Sequence, residues 1–239
     1  MSLSETSPGV LYLIPVALGS EDAAALIPPA TVDAARRLRT FIVENAKSAR
    51  RFLKAIAHPV PLRELQFHTL DEHTRDVAPV LAPLLAGEDC GLMSESGCPS
   101  VADPGSTLVR RAHEAGVRVV PLAGPSSILL ALMASGMNGQ RFAFHGYLPV
   151  ERAERARKLK ELEARAGDET QIFIETPYRN EQLLSALLQQ CRGDTMLCIA
   201  ADLTLPGGFV AARTVAEWKE KPPKLDRRLA VFLLSRALT

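Results

Sequence analysis

Ser94-Glu95-Ser96-Gly97-Cys98-Pro99-Ser100-Val101-Ala102-Asp103-Pro104-Gly105 and, a short way on, Pro121-Leu122-Ala123-Gly124-Pro125-Ser126-Ser127 decide the fold of this chain. Each segment follows an apolar run, residues 90–93 before the first and 117–122 before the second, and each precedes an amphipathic one. That is the pattern of a strand, a loop and a helix. Two such strand ends put both loops on the same edge of one sheet. Glycine lets the backbone approach a ligand closely, and proline fixes the turn. Open α/β sheets bind ligands beyond the carboxyl ends of their parallel strands. Successive loops this rich in Gly, Pro and Ser predict a built pocket.

Outward from these loops, apolar and amphipathic segments alternate. Residues 9–15 predict a buried first strand, 30–38 a helix, 40–43 a strand, 46–55 a basic helix, 64–69 a third strand and 76–86 a helix. Helices follow the two loops over 106–115 and 126–134, with Ser126 as a plausible N-cap. Beyond them, 141–147 is aromatic-rich and 151–165 is a strongly charged helix. A strand at 171–175, a helix at 181–190 and strands at 196–201, 209–212 and 229–234 complete the chain. Alternating strands and helices predict an α/β protein. The change of character after Leu122 predicts two α/β domains, 1–122 and 123–239.

Hydrophobic residues make up 47% of the 239 and charged residues 23%, enough to bury a core and stay soluble. The net charge is only +1, so any nucleic-acid binding must rest on a local patch. Cys90, Cys98, Cys191 and Cys198 form no CxxC motif and have no histidine cluster beside them, so no metal is expected. Reduced thiols and a cytoplasmic protein are the expectation. No apolar run reaches membrane-spanning length, so no membrane association is expected, and residues 1–8 lack a signal-peptide pattern.

In several ordered places the chain resembles the tetrapyrrole methylase superfamily, and within it the ribosomal RNA small-subunit methyltransferase I-like branch. Ser96-Gly97-Cys98-Pro99 through Asp103-Pro104-Gly105 matches that branch's Gly-x-Pro-x-x-x-Asp-Pro-Gly pattern. The second loop matches from Val119 to Ser126, followed by Ala131-Leu132-Met133-Ala134-Ser135-Gly136. Phe144-His145-Gly146-Tyr147-Leu148-Pro149, Phe173-Ile174-Glu175-Thr176-Pro177-Tyr178-Arg179 and the opening Leu11-Tyr12-Leu13-Ile14-Pro15 match as well. The resemblance implies two α/β domains with the cofactor in a cleft between them, S-adenosylmethionine as that cofactor, and a homodimer. It further implies methylation of a cytidine ribose 2′-hydroxyl in small-subunit ribosomal RNA, with the small ribosomal subunit as partner. The chain departs from the branch at Val16-Ala17-Leu18-Gly19-Ser20-Glu21-Asp22, where the branch has Thr-Pro-Ile-Gly-Asn-Leu. It departs again at Leu203-Thr204-Leu205-Pro206-Gly207-Gly208, where the branch has Thr-Lys-x-x-Glu.

Pro15, Gly97, Cys98, Pro99, Val101, Ser126 and Ser127 are the expected cofactor contacts of the first loops. Leu148, Glu175, Tyr178, Ala200, Ala201 and Leu203 resemble positions that surround adenosine in the family. Gly97→Val is expected to abolish cofactor binding and leave the fold intact. Methylation of an oxygen requires a proton to leave. Asp103, Glu95, Glu175 and His145 are the candidate bases, and the residues alone do not choose among them. Three have a plainer reading: Asp103 as a turn or helix-start residue, Glu175 as a partner of Arg179, His145 as a packed ring. The stripe Lys47, Arg50, Arg51 and Lys54 reads either as a phosphate contact or as a solvated face. The mixed charges of 151–165 favour pairing within that helix. Two other readings stand beside the leading one: a methylase of another acceptor, tetrapyrrole or RNA, and a non-catalytic S-adenosylmethionine-binding scaffold. Residues 16–19 lack the Gly-rich opening loop of the tetrapyrrole enzymes, which argues against that acceptor.

Overall fold

The computed structural model describes residues 7–19, 23–71 and 73–236. Ser20, Glu21 and Asp22 of the first departure lie outside them. The chain divides between Ser126 and Ser127 into two units. Sequence reading put that division after Leu122. Thr31 Oγ1 donates to the Ala123 carbonyl at 2.7 Å, which binds the intervening residues to the first unit.

The first unit runs β1 (Val10–Leu13), α1 (Ala23–Leu26), α2 (Pro29–Arg37), β2 (Thr40–Val43), α3 (Ala46–Ala55), β3 (Gln66–Thr69), α4 (Ala78–Leu85), β4 (Cys90–Met93), α5 (Ser106–Glu114) and β5 (Arg118–Pro121). Its five strands lie in the order β3-β2-β4-β1-β5. Every pairing is parallel. A parallel sheet is covered on both faces, which is why its inner strands read as continuous apolar runs. Ala35 of α2 and Phe52 and Leu53 of α3 pack with Ile14, Phe41 and Val43 on one face. Val80 and Leu84 of α4 and Leu108 and Ala112 of α5 pack with Leu11, Ile42 and Leu92 on the other. Asn45 caps α3, its side chain accepting from the amides of Lys47 and Ser48. Several boundaries move inward from the sequence reading, and two have a local cause. Leu62–Glu64 forms a short 3-10 turn, so the third strand starts at Gln66. Asp76 accepts from the Ala78 amide outside α4 rather than beginning the helix.

The second unit runs α6 (Ser127–Ser135), β6 (Phe142–Tyr147), α7 (Arg152–Arg165), β7 (Thr170–Glu175), α8 (Asn180–Gln190), β8 (Thr195–Ala201), β9 (Phe209–Thr214), α9 (Val215–Glu220) and β10 (Ala230–Arg236). The sheet order is β6-β7-β10-β8-β9. Only β6 and β7 pair in parallel; β10 enters antiparallel between β7 and β8, and β9 is antiparallel to β8. Leu159 and Leu162 of α7 and Leu183 and Leu187 of α8 cover one face, over Phe173, Leu197 and Phe232. Ile128, Ala131 and Leu132 of α6 cover the other, over Ile172, Cys198 and Leu233. Charges of α7 pair along the helix as read from sequence, Arg157 with Glu154, Lys158 with Glu161 and Arg165 with Glu161, and Arg165 also reaches Glu169 beyond the helix end. Trp218 packs, its indole N–H donating to the Leu197 carbonyl at 2.8 Å. The helix that carries it, α9, was not expected; Thr214 and Glu217 form a capping box at its start.

All four cysteines are free. Burial pushes the thiols of Cys90, Cys191 and Cys198 up to about 12. Among the described residues no helix is long and apolar enough to cross a membrane, and no cluster of His, Cys, Asp or Glu fits a metal ion.

Candidate cofactor and proton-transfer site

Both glycine-rich loops leave the carboxyl edge of the first sheet, because β4 and β5 flank β1 and run parallel to it. The loops are tied to the β1 exit and to each other. Val16 donates to the Gly97 carbonyl at 2.9 Å, and Gly97 returns a bond to the Val16 carbonyl at 3.2 Å. Leu122 donates to the Leu13 carbonyl at 3.0 Å. The Cys98 thiol reaches the Pro125 carbonyl at 3.5 Å. Gly124 lies hard against Pro15; a Cβ there would come within 2.3 Å of the proline's Cβ. Pro15, Gly97 and Pro99 are buried, Cys98 is half-buried and Val101 is exposed. Ser126 directly precedes α6, and Ser127 is its first residue.

Gly97 has φ +72°, and a Cβ there would meet Leu18 Cδ2 at 3.3 Å. A β-branched residue rarely adopts that conformation. Gly97→Val therefore strains the loop itself, which corrects the expectation of an undisturbed fold. Ser100 and Ala102 also hold positive φ, +67° and +63°. Non-glycine residues in the left-handed region concentrate at functional sites.

Asp103 sits within this loop among other acids. Burial and then the charge of Glu44 push its carboxyl up to about 6, with Glu95 adding to the rise and a hydrogen bond from Ser94 opposing it. Glu44 also accepts from the Glu95 amide at 3.2 Å. Asp103 does not cap α5: the N-cap is Gly105, with no side-chain cap bond. A carboxylate poised near neutral pH is suited to receive a proton. Burial, and less so Asp103 itself, raises the Cys98 thiol, so it rests as the protonated form. Sequence reasoning missed Glu44 and Ser94. Ser94 opens the first glycine-rich loop, but nothing local marks either residue as a neighbour of Asp103; the register Val43 to Met93 between β2 and β4 brings them side by side.

In the second unit the expected residues gather at one sheet edge, because β6, β7 and β8 share a direction. Leu148 follows β6, Glu175 ends β7, Tyr178 follows it, Ala200 and Ala201 end β8, and Leu203 lies in the next loop. Tyr178 is 79% exposed. Leu148, Ala200 and Ala201 spend their side chains in the core, which leaves only their backbone for a ligand. Glu175 pairs with Arg179 at 2.6 Å and accepts from the Thr176 amide, but its Oε2 is buried with no partner. His145 is satisfied by Gln171 at 2.7 Å. The loop that departs from the family, 203–208, is braced by Arg228, which bonds both Asp202 and the Gly207 carbonyl.

The profile of the Tetrapyrrole (Corrin/Porphyrin) Methylases matches residues 10–218. The chain belongs to this family. Membership of this family implies S-adenosylmethionine as the cofactor, and each unit by itself offers groups that suit it. The acidic group of Asp103, Glu44 and Glu95 favours a positively charged sulfonium, and the orphaned Glu175 oxygen is an acceptor without a donor. Among relatives of this tetrapyrrole methylase, the ribosomal RNA small subunit methyltransferase I of Vibrio cholerae is 33% identical over 210 residues, 87% of this chain and 69% of that protein. The enzyme of that name from Pseudomonas aeruginosa is 29% identical over 96% of this chain and 79% of its own. The one from Bacillus subtilis is 29% identical, and the match spans 64% of its length. The crystal structure of the methyltransferase CobJ shares the fold, with TM-score 0.63 at 20% identity, covering 96% of this chain and 95% of that one.

Proposed function

We propose that this protein is an S-adenosylmethionine-dependent methyltransferase that methylates a ribose 2′-hydroxyl of small-subunit ribosomal RNA. The relatives' names support the acceptor, and Asp103 carries the chemistry. Its carboxyl, raised to about 6, takes the proton from the acceptor hydroxyl as the oxygen becomes a nucleophile. When bound, S-adenosylmethionine supplies a methyl group on a positively charged sulfur. Pro15, Gly97, Cys98, Pro99 and Val101 would hold it through backbone shape and van der Waals contact, with Ser126 and Ser127 beside it at a helix start. In the second unit Leu148, Glu175, Tyr178, Ala200, Ala201 and Leu203 are its proposed share of the contacts, supported by the resemblance and the orphaned Glu175 oxygen. Fixing donor and acceptor in one geometry lowers such a barrier by about 7–11 kcal/mol. Glu95 is exposed and His145 is occupied by Gln171, so neither competes with Asp103 as base.

A homodimer and a cytoplasmic location belong to the same proposal, on the resemblance alone. Methylation of another acceptor has one observation in its favour: residues 203–208, which Arg228 braces through Asp202 and the Gly207 carbonyl, stand where the branch has Thr-Lys-x-x-Glu. The test is transfer of labelled methyl from S-adenosylmethionine to small subunits from a strain lacking this protein. Label on a cytidine ribose establishes the reading. Cofactor binding by calorimetry without label on the RNA moves the acceptor elsewhere.

A further inference from the structure

The ten residues of α3 hold four cations and no acid. Lys47, Arg50, Arg51 and Lys54 are all exposed, and among the described residues none has an ion pair. Their spacing, i, i+3, i+4 and i+7, sets them on one face, where like charges repel. Lys47 lies in the first turn, where the helix dipole disfavours a cation. Folding of α3 therefore does not account for Lys47, Arg51 and Lys54. The cation-rich α7 differs: it holds acids as well, and these partner Arg157, Lys158 and Arg165. The Arg50 guanidinium is fixed 4.5 Å over the Phe67 ring.

The position of the stripe is specific. α3 leaves β2 through Glu44 and Asn45, at the sheet edge that carries Asp103. From Lys47 the cations run along the helix for about 10 Å at 1.5 Å per residue. The protein's net charge of +1 gives no general attraction for a polyanion, so attraction has to be local. We propose that this face of α3 is the docking surface for the phosphate backbone of the substrate RNA. It rests on the reading of RNA as methyl acceptor. The acids at the edge serve proton transfer; the neighbouring cations hold the strand that carries the acceptor.

The test is the triple variant Lys47→Ala, Arg51→Ala and Lys54→Ala in the full chain. Arg50 is kept because it packs on Phe67. The probes are in vitro transcribed small-subunit ribosomal RNA and intact small subunits. The variant is expected to raise KM for RNA at least ten-fold while kcat at saturation and S-adenosylmethionine affinity stay put. The slope of log affinity against log salt is expected to fall by about 2–3, since each lost phosphate contact removes about 0.7–0.9. Arg157→Ala in α7 is expected to change neither. Unchanged KM and salt slope in the folded triple variant overturn the proposal. So does a loss on intact subunits that leaves the naked transcript unaffected, which assigns the face to a ribosomal protein. Transcript binding is measured without methyl transfer, so an inactive wild-type protein defeats the acceptor reading and leaves this measurement to decide the face.

Discussion

Asp103 carries a functional and a structural consequence of the same environment. Its folded carboxyl titrates near 6, against 3.8 for the free group. Between those values the folded state binds its proton more tightly than the unfolded state, so this group's contribution to stability falls as pH rises through the window. Asp103→Asn is expected to lower kcat by about a hundred- to ten-thousand-fold and to remove an ionisation near pH 6 from the rate profile. The same variant is expected to melt higher than wild type at pH 8, by about 1 kcal/mol after screening of this half-exposed group, with no gain at pH 4. Gly124 is a second residue where geometry decides. A Cβ there meets Pro15 at 2.3 Å, so Gly124→Ala is expected to cost about 1–3 kcal/mol and weaken cofactor binding. Gly139→Ala, into open space, is expected to change stability by less than about 0.5 kcal/mol, and thermal melting of both variants checks the pair.

At the scale of elements, the end of β7 depends on one ion pair. The Glu175 side chain is fully buried and Arg179 donates to it through two nitrogens. Arg179→Ala leaves a buried carboxylate with one backbone amide; because Arg179 is itself partly exposed, the expected cost is about 1–3 kcal/mol in denaturant unfolding. Arg179→Lys recovers part of this, since a single ammonium cannot reproduce both bonds. The pairing of Glu175 with Arg179 was legible in sequence because it spans four residues. The Asp103 environment was not, because Glu44 and Asp103 are distant in sequence and meet only through the β2–β4 register. Similarly, β10 reads as an ordinary apolar run; nothing local says that it enters between β7 and β8.

For the whole molecule, association is the open quantity that the proposal fixes. Light scattering at micromolar concentration is expected to give twice the 25.9 kDa chain mass, and a clean monomer rejects the homodimer. The proposed RNA-docking face adds a second prediction for the molecule as a whole: affinity for RNA is expected to fall steeply with salt although the protein is nearly neutral, and binding measured over a salt series checks it.

The sequence by itself determined the α/β class, both glycine-rich loops and the family. Those features are local: apolar periodicity, turn residues and ordered motifs within short stretches, each written in neighbouring residues. It also displayed the basic stripe of α3, whose helical spacing is local too. Only the tertiary structure decided which candidate acid has its carboxyl raised towards neutral pH, because burial and neighbouring charge set a carboxyl's pKa and the nearest large charge, Glu44, comes from a strand distant in sequence. It likewise decided that Ala200 and Ala201 offer backbone alone, and that Gly97 cannot take a β-branched side chain without strain.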